Sequence, residues 1–244
     1  MIRIRSFCVS AGLALGCGLP LLGHAQSSEL ARDHNSNNFN NGYAMPPAEA
    51  NTMQGSPFLL TAWSPATILL SASTQPIATP LKYDVYRQEL RVRRAKGDSV
   101  VVPLGQVREF SLTGSSPARR FVCYSSAALP AEGGSCGEVL FDGPHAQLLK
   151  FVRKEIKKQA VENGAYVSNN TVNVLEEQAH YYLHWPADGH FTPLKLKRAS
   201  LEQALAGQPA ALAALKARKG GLSSEADLAA ALAVIDPVLT TPAK

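Results

Sequence analysis

The sequence predicts a mainly β (α+β) protein: an antiparallel β-meander sheet or open barrel with a C-terminal helical segment. Two patterns carry this prediction. Between residues 57 and 198, short runs alternate apolar with polar side chains, or gather β-branched ones, at near-regular intervals punctuated by Gly, Asp and Pro. After residue 198 the apolar period lengthens from two to that of a helix, and helix start and stop signals follow.

The strands follow in order. Residues 67–72 are a short β-prone run. In Lys82-Tyr83-Asp84-Val85-Tyr86 a strand puts Tyr83 and Val85 on one face and Lys82, Asp84 and Tyr86 on the other. Leu90-Arg91-Val92-Arg93 alternates as a half-buried strand does, and Gly97-Asp98 is a turn. Residues 99–102 are β-branched, 107–112 alternate again, and 119–124 form a further strand. Residues 138–141 end at the strong turn Asp142-Gly143-Pro144. Beyond it Leu148, Leu149, Val152 and Ile156 fit a helical face, while Leu149 and Phe151 fit a strand. The strand, returning from the turn, is preferred. Residues 178–185 are rich in aromatics, Pro186-Ala187-Asp188-Gly189 is a turn and residues 190–196 follow, which reads as a hairpin.

The helical part spans residues 199–236. Ser200 with Gln203 resembles a capping box ahead of Leu201, Ala204 and Leu205. Pro209 suits a first helical position before Leu212 and Leu215, and Gly220-Gly221 stops that helix. Ser224 with Asp227 starts another, with Leu228, Ala231, Leu232 and Ile235 on one face until Asp236-Pro237. These narrow apolar stripes suit docking on the sheet.

Composition sets the class. The 244 residues are 45% hydrophobic, 18% charged and 7% aromatic, which excludes a wholly disordered, collagen-like or polytopic membrane chain. Residues 1–25 read as a secretory signal peptide. Arg3 and Arg5 precede an uncharged apolar stretch over 7–22, and Gly23-His24-Ala25 offers small residues for cleavage before Gln26. That stretch is short of the roughly 20 residues of a membrane span. Lipidation at Cys17 is the alternative, disfavoured because Ala14 stands where such a signal usually has Leu. No later segment is long and apolar enough to span a bilayer, so the mature chain is expected to be exported without a transmembrane segment, to the periplasm or beyond. Residues 26–56, Asn-rich and then Pro-rich, read as a flexible spacer.

Without residues 1–25, 22 Lys and Arg face 19 Asp and Glu, a net +3. This mild excess argues against a nucleic-acid partner, which calls for a concentrated basic face with interleaved aromatics. The basic groups at Arg91, Arg93 and Arg94, at Arg119 and Arg120, and at Lys150, Arg153, Lys154, Lys157 and Lys158 read as solvated faces. Two of four cysteines leave with the leader. Cys123 and Cys136 remain, either bridged, as suits an oxidising compartment, or as two buried thiols.

Two constellations could carry chemistry. His180, His184 and His190 have the spacing of the three zinc ligands in the metzincin pattern H-E-x-x-H-x-x-G-x-x-H. Tyr181 replaces the catalytic Glu and Ala187 the Gly, which removes the proton acceptor of that hydrolysis and leaves three-histidine metal binding. On a strand, His180, Tyr182 and His184 share a face. Gly133-Gly134-Ser135-Cys136-Gly137 satisfies G-x-S-x-G, but a nucleophile elbow needs a strand before it and a helix after it, and a strand-like run follows here. The sequence has no Walker loop, G-x-G-x-x-G, C-x-x-C or EF-hand loop, and no cofactor is expected.

Several stretches together carry a resemblance: Gly55-Ser56-Pro57-Phe58-Leu59, Lys82-Tyr83-Asp84-Val85, Val107-Arg108-Glu109-Phe110, Glu138-Val139-Leu140-Phe141-Asp142-Gly143 with Leu148-Leu149-Lys150, Tyr181-Tyr182-Leu183 with Asp188-Gly189, and the Ser200-Leu201 helical ending. In this order they resemble exported β-rich proteins of Bacteroidetes-type bacteria that have no assigned activity. The resemblance, over about residues 55–236, implies a periplasmic or secreted β domain with a helical C-terminus and transfers no functional residue. The sequence therefore reads as an exported, non-enzymatic binding or envelope-associated module, with a cell-envelope component as partner. The rival reading is a metal-binding protein or metal-dependent hydrolase using His180, His184 and His190.

Overall fold

The computed structural model describes residues 43–44, 53–160 and 171–240. Residues 1–25, read from the sequence as a leader, Cys17 among them, and most of the stretch read as a spacer lie outside the described residues. Among those described, twelve strands form one open sheet: β1 (Tyr43–Ala44), β2 (Met53–Gln54), β3 (Ser64–Leu70), β4 (Ile77–Asp84), β5 (Glu89–Arg93), β6 (Ser99–Pro103), β7 (Val107–Leu112), β8 (Arg119–Tyr124), β9 (Ser135–Asp142), β10 (Gln147–Ala160), β11 (Thr171–Trp185) and β12 (His190–Leu194). Their order is β1-β6-β5-β4-β3-β7-β8-β9-β10-β11-β12, antiparallel throughout, with β2 parallel to β11 beside it. Both β1 and β2 fall within the stretch that the sequence reads as a spacer. Two residues are too short to leave a period in the sequence, and their pairing depends on β6 and β11 being in place.

The meander breaks once, between β6 and β7, and that break shapes the molecule. Strands β5, β4 and β3 stand between them in the sheet, yet a one-turn 3-10 helix, Leu104–Gln106, joins the two. On a flat sheet four strand spacings would separate β6 from β7 by about 19 Å. The chain from Pro103 to Val107 spans at most about 14 Å when extended, and less as a 3-10 turn. The sheet must therefore roll. Its concave face gathers Ile68, Leu81, Tyr83, Val85, Leu90, Val92, Phe110, Phe121 and Cys136 into one core, in which the Phe110 and Phe121 rings stack at 4.6 Å. The roll brings Val85, just after β4, within one backbone hydrogen bond of Lys154 on β10 (3.2 Å), while the Tyr83 hydroxyl accepts from the Cys136 amide at 3.2 Å.

Tyr83 and Val85 face the core as their alternation predicts, but Asp84 is also fully buried. Residues 57–59 bridge over it, its carboxylate accepts from the Tyr86 and Arg87 amides, and Arg87 and Arg91 lie within 3.5 Å and 3.4 Å.

The helices α1 (Arg198–Ala204), α2 (Pro209–Ala217) and α3 (Glu225–Ile235) cover one face of the β9–β12 end. Leu228, Ala231, Leu232 and Ile235 of α3 are buried there with Leu148, Leu183 and Trp185. Ser224 caps α3 by accepting from the Asp227 amide at 3.1 Å, and Pro209 opens α2, both as predicted. Ser200, by contrast, lies inside α1, which begins at Arg198 with no side-chain cap. Its hydroxyl instead accepts from the Lys195 amide, so the chain turning off β12 takes the oxygen that a capping box would have used. Arg198 reaches the carbonyls of Leu215 (2.9 Å) and Arg218 (3.1 Å), serving the unpaired oxygens at the end of α2.

The helical layer is pinned at one buried acid. Asp236, where α3 passes into a 3-10 turn, accepts from the amides of His145 (3.2 Å) and Ala146 (2.8 Å) in the β9–β10 turn. Gly143 makes room for it, since a Cβ at that position would lie 2.5 Å from the Asp236 carboxyl carbon and 2.7 Å from the Phe141 ring. Gly143→Ala should therefore lower unfolding free energy by about 2–3 kcal/mol, through overpacking and a displaced α3. Urea denaturation of the variant checks this, and a loss under 0.5 kcal/mol would show that the turn yields freely.

Candidate functional site

The face of β9–β11 opposite the helices is covered by the loop between β8 and β9. Its base is closed by a disulfide between Cys123 and Cys136, which stand directly opposite each other on those strands. Closing a 13-residue separation contributes about 3 kcal/mol in the chain-entropy model. The loop carries a 3-10 turn, Pro130–Glu132, followed by Gly133 and Gly134 with φ of +59° and +84°. That left-handed pair brings the chain back to β9 and drops Leu129 and Glu132 onto the sheet.

Glu132 is 1% exposed. One carboxylate oxygen accepts from the Tyr182 hydroxyl at 2.8 Å and lies 2.9 Å from Nδ1 of His180, and the other accepts from Nε of Arg153 at 2.9 Å. Burial, then the Glu132 hydrogen bond, push the Tyr182 phenol up to about 12, so it stays a donor. A buried carboxylate held by guanidinium, phenol and imidazole fixes the loop over the aromatic cluster of Phe151, Tyr182, Tyr124 and Phe191. Sequence reading passed over Glu132 because nothing adjacent marks it; its three partners are 21 to 50 residues away.

The three histidines do not converge. His180 and His184 share a face of β11, as alternation predicts, but His184 sits against Gln147, with Nδ1 2.9 Å from its amide oxygen, and stacks on Phe191 at 4.4 Å. His190 is exposed and pairs with Trp185, whose side chain packs among the helices on the opposite face. Among the described residues no three His, Cys, Asp or Glu side chains are grouped to hold a metal ion. A helix would have brought the first two residues one turn apart, whereas a strand and its hairpin turn split the set across the sheet. The G-x-S-x-G run likewise forms no elbow. Ser135 opens β9, its hydroxyl buried without a hydrogen bond, and a strand follows it.

Several basic groups read as solvated are instead half-buried in pairs. Arg119 grips Glu138 through two bonds of 2.7 Å, and Lys150 binds Glu225 at 2.8 Å. Burial works against the Glu225 carboxylate, yet Lys150 and Tyr181 hold it below the usual range.

A separate surface lies on the outward side of β4 and β5. Segment 57–63 lays Phe58 and Trp63 over it, and cations alternate with the rings. Arg91 and Lys82 stand 4.9 Å and 4.8 Å from the Phe58 centroid, and Lys82 and Arg93 stand 5.5 Å and 4.6 Å from that of Trp63. Each contact adds about 0.5–1 kcal/mol at such partly exposed positions. A groove of about 500 Å³ also opens beside the disulfide, where the β8–β9 loop meets the β6–β7 link. Searches against protein-family models, curated proteins and solved structures find no match to this chain.

Two outcomes follow for the loop and its sheet. Glu132→Ala should cost about 2–3 kcal/mol in urea denaturation, by leaving Arg153 and Tyr182 without their acceptor; a cost below 0.5 kcal/mol would mean the loop is not held there. Burial holds the His184 imidazole below its usual range. The unfolded chain therefore binds the extra proton first, and stability should fall as pH drops below about 6.5. His184→Gln should remove that component, and an unchanged difference in melting temperature between pH 7.5 and pH 5 would refute it.

Proposed function

We propose that the chain is exported and acts as a binding module at an anionic surface of the cell envelope. The observation that carries this reading is the Arg91–Phe58–Lys82–Trp63–Arg93 row. It sets Lys82 and Arg93 on one outward face, held in place by ring contacts, while Arg91 beside them is paired with the buried Asp84. Pre-positioned cations lose less side-chain entropy on meeting phosphate oxygens than mobile ones do. Each basic residue near an anionic lipid surface contributes about 1 kcal/mol. The leader-like residues 1–25 and the Cys123–Cys136 disulfide support the export half of the proposal, since such a bond persists in an oxidising compartment. The same compartment favours an envelope lipid over nucleic acid as the source of the anionic groups. None of the described helices is long and apolar enough to cross a membrane, which accords with attachment from outside by charge.

The test has two arms. In cell fractionation the chain should leave the cytoplasm and begin at Gln26; retention in the cytoplasm sinks export. In sedimentation, the exported chain should bind vesicles containing phosphatidylglycerol and not purely phosphatidylcholine vesicles, with affinity falling steeply as salt rises. Replacing Lys82 and Arg93 together by Ala should weaken binding about tenfold or more. Equal binding by this variant, or by both vesicle types, overturns the surface proposed.

A further inference from the structure

The groove beside the disulfide lies apart from the basic row and is built differently. It is lined by Ser71, Ser125 and Ser126, by Leu104 and Tyr124, by glycine backbone at Gly105, Gly133 and Gly134, and by one cation, Arg108. No carboxylate is among its lining residues. Its volume, about 500 Å³, falls in the range of small-molecule sites. We propose that this groove binds a single acidic sugar, a hexose ring bearing a carboxylate.

The lining matches each part of such a ligand. A sugar hydroxyl both donates and accepts, and so does a serine hydroxyl; that of Ser125 already accepts from the Ala128 amide at 3.3 Å and is left to donate. Gly134 lets the backbone come close. Its φ of +84° disfavours any side chain, and a Cβ there would already touch the Ser126 amide at 3.4 Å. Leu104 supplies an apolar side to the groove. Arg108 is exposed on β7 and rests against the Ser71 carbonyl at 3.4 Å, and its planar fork suits a carboxylate. The disulfide borders the groove at Cys123. Cys123 lines the groove while Cys136 is buried beneath it, which fixes the distance between β8 and the loop that bears Ser125 and Gly134. A groove whose two walls are cross-linked keeps its shape before the ligand arrives, and that lowers the ordering cost of binding.

The experiment is an NMR titration of the full exported chain with glucuronate, glucose and inorganic phosphate. Glucuronate should shift the amides of Ser125, Ser126 and Gly134, and glucose should bind about tenfold more weakly, for want of the Arg108 contact. Arg108→Gln should weaken glucuronate about tenfold and leave glucose unchanged. Ser126→Trp, on an exposed position, should block both sugars. Phosphate binding as tightly as glucuronate would overturn the sugar part of the proposal by showing a bare anion site, and shifts confined to residues outside the groove, or none, would overturn it entirely. Because Lys82 and Arg93 take no part here, their double variant should bind glucuronate normally, so the two proposals fail separately.

Discussion

The three-residue link between β6 and β7 is the constraint on which the molecule depends. It is too short to pass over a flat sheet, so forming the β3–β7 pair requires the strands between to roll. Once rolled, they enclose Phe110, Phe121 and Tyr83. The same curvature carries β8, β9 and β10 onward, and β10 passes the end of β4 at the Val85–Lys154 hydrogen bond. Everything that follows β7 is built on an edge that the roll has aimed.

Two buried acids then fasten covers to the two faces of the extension. Asp236 holds the helical layer by accepting backbone amides of the β9–β10 turn, and Glu132 holds the disulfide-closed loop through Arg153, His180 and Tyr182. Each carboxylate is nearly inaccessible, and each would be costly to bury without its donors. They differ in what they satisfy. Asp236 serves amides that a tight turn leaves unpaired, and Glu132 balances a cation while orienting a phenol and an imidazole. Between the covers, Arg119–Glu138 and Lys150–Glu225–Tyr181 join strand to strand and strand to helix.

The functional reading rests on surfaces left by this construction. The outward face of β4 and β5 is overlaid by rings from residues 57–63, which hold the cations that the proposed anionic surface would meet. The groove beside the disulfide is lined by serines and glycine, with a single guanidinium. In both places rigidity comes from elsewhere in the fold: from the Asp84 cluster under the first, and from the Cys123–Cys136 bond under the second. His184, stacked on Phe191, belongs to the packing of the sheet.

By itself the sequence determined the class of fold and most elements. The alternation at 90–93 and 107–112, the strand at 119–124, the Asp142-Gly143 turn, the returning strand at β10, and the Ser224 cap all depend on neighbours within a few residues, and the structure has them in place. The pairing of Cys123 with Cys136 was left open between a bridge and two thiols, and register decided it by setting them opposite. Only tertiary structure could decide the rest. The burial of Asp84, the grip of Glu132, the scattering of His180, His184 and His190, and the meeting of Phe58 and Trp63 with Lys82, Arg91 and Arg93 are fixed by contacts between distant segments. Local pattern records which face of an element a side chain occupies, whereas the partner waiting there is set by the roll of the sheet and the covers docked on it.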